Sequence, residues 1–114
     1  ALGGGLGAVG RYLLSLIAAP WSFPVMTLLT NFLGAVVIGA VAQAAGQLPM
    51  SKSAVLFLKT GLCGGFTTFS TFSLETVELL EQGRWAAGGG YILASVGLCL
   101  AGVLLGRALV WKIL

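Results

Sequence analysis

The sequence predicts an all-α integral membrane protein with four transmembrane helices in a single domain spanning residues 1–114. Two observations carry the membrane assignment. Of the 114 residues, 58% are hydrophobic and only 8% are charged, against about 25% charged residues in a soluble domain. A third observation sets the helix count: the apolar residues fall into four blocks, each long enough to supply the about 20 residues that cross a hydrocarbon core.

The first block runs from about Leu2 to Ala19 and is stopped by Pro20, Trp21 and Pro24. No basic region precedes it and it has the length of a span, so a cleaved signal peptide is not expected. The sequence starts at Ala1 rather than a methionine, which leaves its native start open. The second block runs from about Phe23 to Gly46 and gives way to a polar loop around Gln47, Pro49, Ser51 and Lys52. The third covers about Ser53 to Leu80 and the fourth about Trp85 to Lys112. Short connections make neighbouring helices antiparallel and place both termini on one side. Trp21, Trp85 and Trp111 fall near expected ends, where interfacial aromatic rings belong. Lys52, Lys59, Arg107 and Lys112 fall on the side of the termini, against Arg84 on the other, which points to a cytoplasmic placement of that side.

Composition also excludes several functions. The net charge of +3 is small and scattered, unlike a nucleic-acid-binding surface. There is no histidine, and Cys63 and Cys99 lack metal-ligand spacing, so neither zinc nor a disulfide framework is expected. Both read as small buried residues. No nucleophile and base can be assembled, so the chain is not expected to be an enzyme.

Eighteen glycines allow close backbone approach in lipid. Gly3/Gly7, Gly61/Gly65 and Gly102/Gly106 form GxxxG pairs, read either as packing within one chain or as a dimer face. Four short helices do not easily enclose an aqueous path and also shield their polar groups from lipid, so an oligomer is expected.

Polar residues fall on stripes. In the second span Thr27, Asn31, Gly34 and Ile38 share a face. Taken alone, Asn31 reads first as a helix-to-helix hydrogen bond and second as a pore-lining donor. Tyr91, Ser95, Cys99, Gly102 and Gly106 make a similar face in the fourth span. Arg11, near Gly7 and Ser15, either snorkels to the interface or draws an anion into a vestibule.

The third span is the most informative. Phe66 to Ser73 holds five hydroxyls and three phenylalanines in eight positions. Gly61, Gly64 and Gly65, followed by Thr67 and Thr68, suit a discontinuous helix whose unwound turn exposes carbonyls to a cation and whose restart presents N–H groups. Beyond it, Phe66, Phe69 and Phe72 repeat every third residue beside Ser70 and Ser73, so rings border a hydroxyl track. Glu75, Glu78 and Glu81 read as solvated acids near a membrane face, with Glu75 close enough to matter for a pore mouth.

The pieces GGGLGAVGRY, TLLTNFLGAVVIG and GLCGGFTTFSTFSLE, with the Tyr91 to Ser95 spacing, together resemble the small fluoride channels of the CrcB, or Fluc, family along essentially the whole chain. The third piece is the most specific. The resemblance implies an antiparallel, dual-topology homodimer in the cell membrane, with two fluoride pores and a central structural sodium ion. By position it implies Phe69, Phe72 and Asn31 in the pore, Thr27, Ser70, Ser73, Tyr91 and Ser95 along its polar parts, and Arg11 at its entrance. Gly64 and Thr67 would give backbone carbonyls to sodium, and Cys99 stands where many relatives carry serine. The implied physiology is passive fluoride export and fluoride resistance. The alternatives are a proton-coupled small multidrug-type transporter, which would need a group in the first span that alternates between proton and substrate and finds none here, and a non-conducting structural subunit.

Overall fold

A computed structural model describes every residue except 18–21, and within the described residues the chain is helical with no strand. Five helices follow in order: α1 (Leu2–Ser15), α2 (Val25–Gln47), α3 (residues 52–66), α4 (Phe69–Glu81) and α5 (Trp85–Ile113). The expected end of the first span at Ala19, with Pro20 and Trp21, lies outside the described residues. Thr67 and Thr68 are extended, at φ −81°, ψ 158° and φ −150°, ψ 112°, so α3 and α4 are two halves of one interrupted segment.

Local sequence explains the ends. Ser51 caps α3 by accepting the Ala54 N–H at 3.1 Å, and Thr68 caps α4 by accepting the Thr71 N–H at 3.1 Å. The turn from α4 to α5 needs a left-handed residue, and Gly83 supplies it at φ 74°. The Gly83 N–H then reaches the Leu80 carbonyl and the Arg84 N–H that of Leu79, both at 3.0 Å, closing the last turn of α4.

Close glycine contacts set the pairing of helices. In α1, a Cβ on Gly7 would meet the Phe66 nitrogen at 2.7 Å and the Gly65 carbonyl carbon at 3.0 Å, while one on Gly3 would meet the Phe57 oxygen at 2.6 Å. In α5, a Cβ on Gly106 would meet the Ala40 nitrogen at 2.8 Å, and one on Gly102 the Ala35 Cβ at 3.1 Å. The contacts advance together along both chains, so α1 runs parallel to α3 and α2 parallel to α5. All three GxxxG pairs are therefore used for packing within the chain. Where α1 presses on it, α3 widens into π-helix over Leu56–Cys63, a form that recurs at functional sites.

The buried aromatic core is small: Phe72, Leu79 and Tyr91, with Phe23, Leu28 and Ala87 packed around them. Tyr91 is fully enclosed, meeting the Phe23 ring edge-on at 5.3 Å and the tilted Phe72 ring at 5.0 Å. Most large apolar side chains point outward instead, among them Leu93, Leu100 and Leu104 of α5. Helices α2 and α5 are long and apolar enough to cross a membrane, yet only 28% and 17% of their most apolar stretches are buried. A helix apolar all round but exposed needs lipid or another protein surface to cover it. The chain is a membrane protein.

Candidate ion pathway at the helix break

The break is organised by one side chain from another helix. Asn31 of α2 donates through Nδ2 to the Thr68 carbonyl at 3.1 Å and accepts the Thr68 N–H on Oδ1 at 2.7 Å. An amide can form this paired contact because it carries both a donor and an acceptor. Thr67 turns its hydroxyl and its N–H back to the Cys63 carbonyl, both at 2.9 Å.

The break leaves the four carbonyls from Gly64 to Thr67 without their helical donors, Phe66 losing the Ser70 N–H among them. In an unbroken helix the Thr68 N–H would bond to Gly64 and the Thr71 N–H to Thr67. Here the first goes to Asn31 and the second to the Thr68 hydroxyl. The Gly64 and Thr67 carbonyls thus lose their helical donors at one place in the chain. The Gly65 carbonyl has its own partner, the Nε of Arg11 at 3.3 Å.

Beside the break lies an open, mostly apolar groove of about 390 Å³, walled by residues such as Ile38, Val96, Leu100 and Val103. Gly64 and Phe69 line it next to the break, and Asn31, Thr67, Thr68 and Ser95 add polar groups. Ser95 is 7% exposed, and its hydroxyl has no hydrogen-bond partner among the described residues. On the other side of the break, Arg11, Ser15, Thr27, Thr30, Thr68 and Thr71, with Met26, line a small pocket of about 70 Å³. Arg11 therefore neither reaches out alone nor stands clear of the protein: it bonds to the break and lines a small pocket shared with four hydroxyl-bearing threonines.

The residues singled out in the sequence converge, but not as one continuous track. Phe69 and Phe72 have ring centroids 5.5 Å apart, yet Phe69 is 78% exposed and Phe72 only 9%. Ser70 is exposed, 3.4 Å from the Thr68 hydroxyl. Ser73 donates to the Phe69 carbonyl at 2.9 Å. Thr27 and Tyr91 both donate to Glu75, at 3.0 and 2.9 Å. Thus Glu75 sits between two helices and does not stand free near a membrane face. Its spacing of three from Phe72 and four from Leu79, the buried stripe of α4, was the signal that could have placed it there.

A discontinuous helix in a small, apolar, all-helical chain is the arrangement by which membrane proteins present backbone groups to ions. The comparisons with known proteins give that class a family. Residues 1–107 match the family model described as CrcB-like protein, Camphor Resistance (CrcB), and the chain belongs to that family. A relative from Roseiflexus sp. is 49% identical over 110 residues, covering 93% of this chain and 89% of the relative. One from Ruminiclostridium cellulolyticum is 46% identical over 111 residues, covering 94% and 85%. Both are named fluoride-specific ion channel FluC, a channel's name and not an enzyme's.

Proposed function

We propose that this chain is a fluoride-selective channel through which fluoride leaves the cytoplasm passively, giving the cell fluoride resistance. The carrying observation is the break at Thr67 and Thr68, held by Asn31 beside an open groove. The names of the relatives supply the ion. The working unit is an antiparallel, dual-topology homodimer in the cell membrane, with four transmembrane helices per subunit and two pores. Support for a second copy comes from the exposed Phe69 ring and the open side of the groove, which one chain leaves uncovered.

Fluoride is small and strongly hydrated, so a path must replace water with donors without a full positive charge that would hold the ion. Among these residues the uncommitted donors are the second Nδ2 proton of Asn31 and the hydroxyl of Ser95, while Ser70 gives its proton in a long bond of 3.4 Å to the Thr68 hydroxyl, whose own proton goes to Thr71. Phe69 and Phe72 add ring edges, the positive part of the quadrupole. Thr27 and Tyr91 direct their hydroxyl protons to Glu75, and Ser73 directs its own to Phe69. These three shape the route and donate to the anion only when those bonds open. Arg11 stands near the entrance and favours the approach of anions.

The Gly64 and Thr67 carbonyls are hard oxygen donors of the kind sodium takes, and two per subunit make four in a dimer. Sodium bound there supplies a fixed positive charge that offsets that of the anions and ties the two breaks together. Exchanging sodium for N-methylglucamine is expected to lower both the dimer fraction on gel filtration and the fluoride efflux. Unchanged assembly and efflux would contradict the role of the ion.

Reconstitution tests the function itself. Liposomes loaded with fluoride and carrying the purified protein are expected to release the ion when the membrane potential is clamped near zero. Among the described residues Glu75 is the carboxylate bonded to proposed pore residues, Thr27 and Tyr91, so a proton-coupled exchanger is the second reading. Proton-driven uptake of an organic cation without fluoride efflux would establish it, and silence in both assays would favour a structural subunit.

A further inference from the structure

We infer that the C-terminal end of α5 holds a binding site for the phosphate of an anionic phospholipid headgroup. The inference rests on the membrane-spanning reading of α5 and is independent of the ion conducted. A cavity of about 350 Å³ opens there, lined by Gln43, Arg107, Ala108, Trp111 and Lys112. Its charged side chains are both cationic. The three acids of the chain, Glu75, Glu78 and Glu81, all lie on α4 at the opposite end of the molecule.

Depth places the cavity among headgroups. Trp85 and Trp111 mark the two ends of α5, about 39 Å apart at about 1.5 Å per residue. That length approaches the about 40–45 Å between the outer limits of the two headgroup layers, while the hydrocarbon core takes up only about 30 Å. Centred midway between the two tryptophans, α5 therefore puts Ala108 to Lys112 in the headgroup layer and the Arg107 backbone at its inner edge, from which the long side chain reaches lipid phosphates. Trp111, 69% exposed, is an interfacial ring of the kind that sits at that level.

The cationic groups are also oriented. Gln47 Oε1 accepts a hydrogen bond from Gln43 Nε2 at 3.0 Å, which leaves the Gln43 Oε1 to receive Arg107 Nη1 at 3.5 Å. One nitrogen of the guanidinium is so occupied, and the edge formed by Nε and Nη2 remains for two parallel bonds to a phosphate. Lys112 adds a point charge and the Trp111 indole an N–H donor. Snorkelling alone would need none of this side-chain relay, and would make any basic residue at this end equivalent.

Native mass spectrometry of the purified protein, titrated with phosphatidylglycerol, phosphatidylcholine or inorganic phosphate, tests the site. Wild-type protein is expected to retain phosphatidylglycerol at a concentration on the order of tenfold lower than phosphatidylcholine, with no displacement by inorganic phosphate. The double variant Arg107→Gln, Lys112→Gln is expected to lose that preference, and Lys52→Gln, a basic residue at the same end outside the cavity, to keep it. Equal retention of the two lipids by the wild type would overturn the inference without recourse to any variant. So would displacement by inorganic phosphate, or a loss in Lys52→Gln as large as in the double variant.

Discussion

Asn31→Asp is expected to cut fluoride efflux from proteoliposomes by about tenfold to a hundredfold while the protein still elutes as an assembled species. The carboxylate can still accept the Thr68 N–H, as the amide does at 2.7 Å. It cannot donate to the Thr68 carbonyl, so that bond is lost. The bond is part-buried, so leaving that carbonyl unpaired costs at most the ~1–3 kcal/mol of a buried group, and about 1.4 kcal/mol is one factor of ten. Replacing the remaining amide donor with a negative charge beside an anion path adds to the effect. Asn31→Ser, which restores a small donor without charge, is expected to recover part of the flux. Wild-type efflux from Asn31→Asp would remove Asn31 from both the clamp and the pore.

Gly106→Leu is expected to abolish recovery of monodisperse protein. Parallel helices α2 and α5 meet there so closely that even a Cβ would lie 2.8 Å from the Ala40 nitrogen and 2.9 Å from the Val36 carbonyl carbon. Backbone atoms cannot turn aside as a flexible side chain does, so the helices must separate. Overpacking costs about 1–3 kcal/mol where a core can adjust, and a whole isobutyl group against a main chain exceeds that. Gly46→Leu is the matched control, since a Cβ there meets nothing within 4 Å. The expected readout is aggregated material for Gly106→Leu and a normal gel-filtration peak for Gly46→Leu. A wild-type thermal midpoint for Gly106→Leu would mean that the close contact carries no stability.

The sequence made the helical blocks and the position of the break legible because both are local properties. Apolar runs mark spans, Ser51 and Thr68 are ordinary capping residues, and clustered glycines followed by two threonines interrupt a helix. Partners across long sequence separations were not legible. Periodicity put Asn31 on a polar face, but only the fold brings it to Thr68, 37 residues away. Glu75 read as solvated because an acid is costly in lipid; its two hydroxyl donors come from α2 and α5. The GxxxG pairs left two readings open, because small residues permit close approach to any helix, and here the parallel neighbours within the chain take that face. The π-helical widening over Leu56–Cys63 left no sign in the sequence, since its residues suit an α-helix equally well.

The central claim is that the break clamped by Asn31 belongs to a path for fluoride. It is tested most directly by ion-selective electrode recordings of efflux from liposomes containing the wild-type protein, loaded in parallel with fluoride and with chloride. Rapid fluoride release with chloride retained at the level of protein-free liposomes is the predicted result. Chloride release at a comparable rate, or fluoride release no faster than from protein-free liposomes, would contradict the account.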